Sequence, residues 1–275
     1  MPGPNGWARK ARALAPLSIW FNTPDTIAFS ARPAASAQLV QALATSQRRA
    51  FQKALIDQPA MRAVLADLVI ESEAATAIAM RVGASLDRAA TDEGEAAFMR
   101  LATPLAKYWV CKRQPGFVYE ALECHGGAGY VEEGPMPRLY RQSPLNAIWE
   151  GSGNVIALDV LRALSREPDS LEAVQAELKR PLGRHRAYDV HVARLADYLT
   201  PGNLHEGTAR GFARDAALAL QGAALHAYAP DFVFEAFCAQ RLSADRNGLL
   251  YGDVSKDVDQ ARLIERAMPV IGSAV

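Results

Sequence analysis

The sequence has few cysteines, no long apolar run and no excess of charge of either sign. Its three cysteines, Cys111, Cys124 and Cys238, are far apart and form no CxxC pair. This spacing predicts a reducing compartment, the cytoplasm, with neither a disulfide framework nor a metal site. No apolar run approaches the roughly 20 residues that span a bilayer. The 30 basic and 30 acidic residues balance, so any binding to nucleic acid or acidic membrane must be local.

Half of the 275 residues are hydrophobic, enough to bury a sizeable core. No β-rich stretch is present, and apolar residues recur at helical spacing instead. From Met61 to Leu86 they follow steps of three and four, which predicts a single stripe along roughly 45 Å of helix. A stripe of that length is typical of a helical bundle.

Further helices are predicted on both sides of a glycine-rich interruption. Asp92 suits the N-cap of a third helix, which we expect the Pro115-Gly116 pair to interrupt or end. A fourth helix follows Gly153, and its apolar residues lie at i, i+3, i+6 and i+9. These are Val155, Leu158, Leu161 and Leu164. The prediction is an all-α fold, an up-down four-helix bundle with an additional C-terminal helical subdomain.

Three regions are predicted along the chain. Residues 1–33 are rich in Ala and Pro and form a poorly ordered leader. Its basic residues precede a short apolar run, as in a targeting signal, but Pro16 and Asn22 break that run. Residues 34–166 form the bundle, and residues 167–275 form the helical extension. Helical patterns in the extension cover about 170–180, 185–199, 205–228, 231–243 and 256–268.

The stretch 123–154 concentrates the glycines, prolines and aromatics and contains two glycine-rich corners, at 125–130 and 149–154. Glu150 precedes the fourth helix, and its carboxylate has two possible roles. In the first, the carboxylate is stabilised by the helix N-terminus and takes no part in a reaction. Alternatively it is a general base, with a pKa raised by the apolar neighbours Ile148 and Trp149. The local sequence leaves both open.

The order of the motifs resembles that of a known family. Arg48-x-x-Phe51 with Leu55, a long helix pair, His125-Gly-Gly-Ala-Gly-Tyr130, Arg138-x-x-Arg141 and Trp149-Glu-Gly-Ser152 follow one another as in the C-terminal helical domain of the acyl-CoA dehydrogenase family. The run from Glu123 to Val155 is most similar to the AidB-type branch, bacterial flavoproteins linked to the response to DNA alkylation. The resemblance extends from about Ala35 to the C-terminus.

The resemblance implies an FAD-dependent oxidoreductase. In that family a carboxylate removes the α-proton of an acyl-CoA while hydride passes from the β-carbon to FAD, and the flavin site lies partly across a subunit boundary of a homo-oligomer. The catalytic base falls on Glu150. The flavin-contacting residues fall on Arg48, Phe51, Leu55, Glu123, Gly126, Gly127, Gly151, Ser152 and Asn154. Two departures change the chemistry, since Gln52 replaces a glycine and Glu123 replaces a glutamine. Two others, Ser152 for threonine and Asn154 for glutamine, keep the hydrogen-bonding groups.

The sequence contains no counterpart of the family's N-terminal helical domain or middle β-sandwich. Those domains cover the flavin and the acyl chain, so their absence removes the water exclusion that hydride transfer needs. We therefore expect a truncated form, with weak FAD binding and little turnover unless another chain supplies the remainder.

A competing interpretation is DNA binding by the extension, as associated with the AidB-type branch. From Ser165 onward there are 13 basic and 15 acidic residues, so the region as a whole is not basic. One local cluster and one bundle residue are the candidates: Arg162, Lys179, Arg180, Arg184 and Arg186, with Arg194 nearby. The alternative is a solvated face paired with neighbouring acids.

Two further assignments stay open in the central stretch. His125 is either a structurally satisfied residue at a tight turn or a proton-transfer group. Arg138 and Arg141 are predicted to brace the loop 130–147 against Glu132 and Glu133, or across a subunit interface.

Overall fold

The computed structural model describes residues 32–244 and 250–269. Nearly all of the predicted leader lies outside these residues. The helices are α1 Arg32–Thr45, α2 Pro59–Arg88, α3 Glu93–Glu123, α4 Gly127–Tyr130, α5 Met136–Gln142, α6 Gly153–Arg166, α7 Pro168–Lys179, α8 Arg186–Tyr198, α9 Ala209–Tyr228, α10 Asp231–Phe237 and α11 Gln260–Ala267. A hairpin of β1 Arg49–Ala50 and β2 Lys53–Ala54, 3₁₀ turns at Leu55–Asp57 and Ser143–Ala147, and a π-helical segment at Cys238–Leu242 lie between them.

The all-α prediction is confirmed. The long helices α2 and α3 pack along each other, α1 packs against both of them, and α6 packs against α3. Pro59 occupies the first turn of α2, where its missing N–H costs nothing. Asp92 caps α3 as predicted, because its Oδ1 accepts a hydrogen bond of 3.1 Å from the backbone N–H of Glu95. None of the described helices is long and apolar enough to cross a bilayer.

Two local predictions are wrong. Helix α3 continues through both Pro104 and Pro115 to Glu123. Phe117 and Val118 beyond the second proline are buried in the core, and their packing offsets the lost backbone hydrogen bond. The predicted apolar face of α6 is also displaced, since Val155 is 59% exposed.

The predicted α6 stripe fails for a geometric reason. Consecutive steps of three residues rotate by about 300° each, so the first and last members of the stripe lie on opposite sides of the helix. The residues that are actually buried follow steps of one, three and three. They are Ile156, Ala157, Val160 and Ala163.

The extension packs closely against the bundle. Helix α9 contacts α2, α3 and α6. A buried ion pair joins the extension to α2, because Arg81 Nε lies 3.0 Å from Glu177 Oε1 of α7. The same guanidinium reaches Glu95 Oε2 of α3 at 2.9 Å. The predicted division at residues 166 and 167 stays a prediction, and side-chain packing is continuous across it.

A second buried charged cluster lies at the other end of α2. Arg241 of the π-helical segment lies 2.6 Å from Asp67 and 3.0 Å from Glu71 of α2. Arg113 of α3 lies 3.1 Å from the same Glu71 carboxylate. Although burial raises the pKa of Glu71, the two guanidinium groups hold it below its usual range. The pairing therefore keeps a buried carboxylate ionised.

Candidate flavin site

The first glycine corner follows the C-terminus of α3. Gly126 has φ 61°, a conformation that suits glycine. The guanidinium of Arg48 approaches this residue, since a Cβ built on Gly126 would lie 3.4 Å from its Nη2. A Cβ on Gly127 would meet nothing within 4 Å. The fold thus brings Arg48 and Gly126, which are separated in sequence by the two long helices α2 and α3, to one open surface.

The hairpin that follows Arg48 carries one predicted flavin contact, Phe51, and the 3₁₀ turn after it begins with another, Leu55. Phe51 and Gln52 have φ values of 52° and 69°, both in the left-handed region that non-glycine residues adopt at a cost. Gln52 thus occupies a backbone conformation that suits the glycine of the family pattern. The Phe51 side chain is 90% exposed, while Leu55 is buried in the core. The exposed aromatic and the neighbouring Arg48 share this surface.

Other residues of the first corner have structural partners. Gly129 allows helix packing, because a Cβ there would collide with the carbonyl oxygen of Leu122. His125 Nδ1 lies 2.9 Å from the carbonyl oxygen of Ala121, which favours the structural interpretation of this histidine. The exposed Glu123 lies beside Tyr119, where it raises the pKa of that phenol.

Arg141 makes two hydrogen bonds to Glu132, of 2.6 and 2.9 Å. The structure therefore contains one of the predicted contacts that brace the loop 130–147, the one between Arg141 and Glu132. This pair is exposed on both sides, so it contributes little to stability.

The second corner holds Glu150 in an unusual conformation. Its φ is 58°, and that of Gly151 is 120°. One carboxylate oxygen, Oε2, is buried and has no hydrogen-bond partner among the described residues. Left-handed non-glycine residues and unsatisfied buried polar atoms are both costly and concentrate at functional sites.

A buried lysine that the sequence analysis missed fixes this corner. Lys107 of α3 is fully buried, and its Nζ donates to the carbonyl oxygens of Asn146 and Trp149 at 3.0 and 2.9 Å. The Trp149 carbonyl belongs to the peptide bond that precedes Glu150. Lys107 therefore anchors the backbone on the N-terminal side of the candidate base.

The expected desolvation of Glu150 by its apolar neighbours Ile148 and Trp149 stays a prediction. Their side chains are 62% and 43% exposed. The polar environment of Glu150 lies on the α3 side. Burial raises the pKa of the Cys111 thiol to about 11, with opposing effects of nearby Lys107 and Glu150. These three side chains therefore lie close together.

The N-terminus of α6 follows directly. Ser152 is the N-cap, but its hydroxyl does not cap the helix, so backbone N–H groups of the first turn are left without helical partners. A Cβ on Gly153 would lie 3.0 Å from Nζ of Lys112. Asn154 Oδ1 accepts a 3.2 Å hydrogen bond from Arg210 of α9. Positive charge and free donors thus meet at Gly151, Ser152 and Asn154.

The DNA-binding candidates lie mainly at the junction of α7 and α8. Arg180 pairs with Glu177 at 3.2 Å and Arg184 with Asp231 at 3.9 Å. Arg162, on α6, pairs with Asp159 at 3.2 Å. Lys179 and Arg186 are exposed. Three of the five candidates thus have acidic neighbours, as the alternative of a solvated, paired face implies, and DNA binding stays a prediction.

The residues present suit a flavin nucleotide. Open Gly127 and the adjacent Arg48 offer close approach and positive charge, and the first turn of α6 offers free donors. Within residues 32–244 and 250–269, no group of three or more His, Cys, Asp or Glu side chains is placed to hold a metal ion.

Comparisons with known proteins find relatives of this chain in sequence and in fold. The putative acyl-CoA dehydrogenase AidB of Escherichia coli K12 is 44% identical over 153 residues, which are 56% of this chain and 28% of that protein. The structure of Caenorhabditis elegans ACDH-11 in complex with C11-CoA matches 85% of this chain and 40% of that one, with TM-score 0.63 and 21% identity. A Bacillus anthracis acyl-CoA dehydrogenase complexed with FAD matches 78% of this chain and 45% of that one, with TM-score 0.54 and 21% identity.

This chain therefore spans less than half the length of each of these three proteins. The two structural likenesses concern the fold. The model of the acyl-CoA dehydrogenase C-terminal domain matches residues 26–165, slightly more than half of the chain. Together with the AidB similarity, this match shows that the chain belongs to the acyl-CoA dehydrogenase family.

Proposed function

We propose that this chain provides the helical side of a flavin site for acyl-CoA dehydrogenation, with Glu150 as the base that removes the α-proton of an acyl-CoA. The observation that carries the proposal is the state of Glu150. Its backbone is held in a left-handed conformation, and a buried carboxylate oxygen has no partner. A purely structural carboxylate at a helix entrance would use its oxygens to cap the free N–H groups.

The residues around Glu150 support a base that is held in place. Lys107 fixes the preceding peptide bond through the Trp149 carbonyl, and Gly151 permits the turn into α6. A base that is already oriented needs less rearrangement when substrate arrives. The carboxylate accepts the α-proton, and the electron pair of the broken C–H bond stays on the substrate carbon.

FAD is the proposed cofactor, and when bound it supplies the acceptor for the β-hydride. On one side it would be held by Arg48 and Phe51, with the buried Leu55 supporting the hairpin from the core, and by Glu123, Gly126 and Gly127 at the first corner. Gly151, Ser152 and Asn154 would hold it on the other. Two solved relatives support the ligands, one described in complex with C11-CoA and the other with FAD. We further propose a homo-oligomer in which copies share the flavin site.

The base can be tested without complete turnover. With FAD present, the wild-type chain should exchange the α-hydrogens of a saturated acyl-CoA in D₂O, followed by proton NMR. Glu150→Gln keeps the side-chain shape and removes the base, so exchange should slow by roughly 10²–10⁴-fold. Glu133→Gln, an exposed carboxylate in the preceding loop, is the matched control and should exchange at the wild-type rate. Equal rates for wild type and Glu150→Gln would exclude Glu150 as the base.

A further inference from the structure

Helix α9 of the extension reaches the second corner of the proposed site, at the start of α6. Arg210, in its first turn, donates from Nη1 to Oδ1 of Asn154 and from Nε to the hydroxyl of Tyr108, each at 3.2 Å. Residue 210 lies outside the 26–165 match to the family domain. A residue from outside that domain thus contacts one of the predicted cofactor ligands.

The hydrogen bond from Arg210 determines which group of the Asn154 amide faces a ligand. Arginine has only donors, so it must face the amide oxygen of Asn154. The amide N–H₂ of Asn154 is then directed away from Arg210 and remains a donor. Without Arg210 the amide is free to rotate, and its oxygen would repel an anionic ligand as readily as its nitrogen would bind one.

The positive charge of Arg210 is also free to attract an anionic ligand. Among the described residues it has no carboxylate partner, in contrast to Arg214 one turn later, whose Nε lies 2.7 Å from Asp215. Its other two contacts are neutral groups. This guanidinium at Asn154, together with Nζ of Lys112 near Gly153, favours a negatively charged ligand at the start of α6.

We propose that Arg210 is a positioning residue for the nucleotide part of the flavin: it orients Asn154 and adds positive charge, so that the extension completes the cofactor site. This inference rests on the proposed function. It gives α9 a role in binding as well as in packing, and it predicts that cofactor affinity depends on a side chain that the matched domain lacks.

The test is a titration of the full chain with FAD, followed by quenching of flavin fluorescence. Arg210→Gln should weaken binding about tenfold, the loss expected for one charge-assisted hydrogen bond. Arg210→Lys keeps the charge but is unable to span Asn154 and Tyr108 together, so its affinity should lie between the two. Arg214→Gln is the matched control on the same helix and should bind as wild type does.

A double-mutant cycle separates positioning from an independent contact. If Arg210 acts partly through Asn154, the losses caused by Asn154→Ala and Arg210→Gln should add only in part, so the double variant should bind more weakly than either single variant but more tightly than the sum of the two losses predicts. Unfolding by urea identifies any variant whose fold is lost. Should Arg210→Gln not fold, Arg210→Lys carries the comparison.

Three results would overturn the inference. Equal affinities of wild type, Arg210→Lys and Arg210→Gln would remove the role of Arg210 and leave the proposed function intact. Fully additive losses would show that Arg210 does not act through Asn154. Absence of saturable FAD binding by the wild-type chain would overturn the proposed function, and the inference with it.

Discussion

Replacing Arg241 with alanine should lower the free energy of unfolding by about 3–5 kcal/mol. The side chain is 4% exposed and lies against Asp67 and Glu71, which are equally buried. Its removal leaves Arg113 to compensate both Asp67 and Glu71, and buried carboxylates with too little compensating charge are strongly destabilising. Urea denaturation followed by circular dichroism measures the change.

Arg266→Ala is the matched control. Arg266 also joins the extension to α2, through Glu73 at 2.7 Å, but this pair is partly exposed. Its loss should cost less than about 1 kcal/mol. Similar losses of unfolding free energy for the two variants would contradict the view that the buried ion pairs of Arg241 hold the extension to the bundle more strongly than a partly exposed pair does.

The same cluster predicts a pH dependence. The pKa of Glu71 is held low by Arg113 and Arg241 against the effect of burial. Its contribution is therefore present above the unfolded-state pKa of about 4.3 and is lost as the pH falls. In Arg241→Ala the pKa of Glu71 rises toward its unfolded-state value, so the variant, although less stable at neutral pH, should lose less stability than wild type as the pH falls through that value. Urea denaturation of both proteins across this pH range measures the difference.

Lys107→Met should destabilise the protein by about 2–4 kcal/mol and loosen the corner that carries Glu150. Methionine fills a similar volume but donates no hydrogen bond, so two carbonyl oxygens lose their donor, at about 1–3 kcal/mol for each buried group. Urea denaturation gives the stability, and limited proteolysis of residues 143–152 reports the local opening.

Lys112→Met provides the comparison for Lys107. This lysine lies on the same helix but is exposed, so its replacement should change stability by less than about 0.5 kcal/mol. If Lys107→Met is as stable and as resistant to proteolysis as Lys112→Met, the anchoring of the Glu150 backbone by Lys107 is wrong.

The sequence was sufficient for features that depend on neighbouring residues. The cap at Asp92, the position of Pro59 and the long α2 stripe follow from local rules, and the structure has them. The order of the motifs, through the family resemblance, also predicts that Arg48 and Gly126 belong to one site. The fold then places Arg48 beside Gly126, although these residues are separated by two long helices in the chain.

Other features depend on packing between distant elements and left a weaker signal. Lys107 is the lone charge in the run from Leu101 to Cys111, which is a sign of a buried partner, but its carbonyl acceptors lie 39 and 42 residues away. Arg210 and Arg241 act across more than 50 residues. The continuation of α3 through Pro115 likewise depends on tertiary burial of the residues that follow.

The most direct test of the central claim is FAD binding by the wild-type chain and by Gly127→Ala. A Cβ at Gly127 meets nothing within 4 Å and the residue does not require positive φ, so the variant should unfold at the same urea concentration as wild type. If Gly127 lies against the nucleotide, the added methyl group should weaken saturable FAD binding by about tenfold or more. Wild-type protein that shows no saturable binding, or a variant that binds FAD equally well, would contradict the placement of a flavin on this surface.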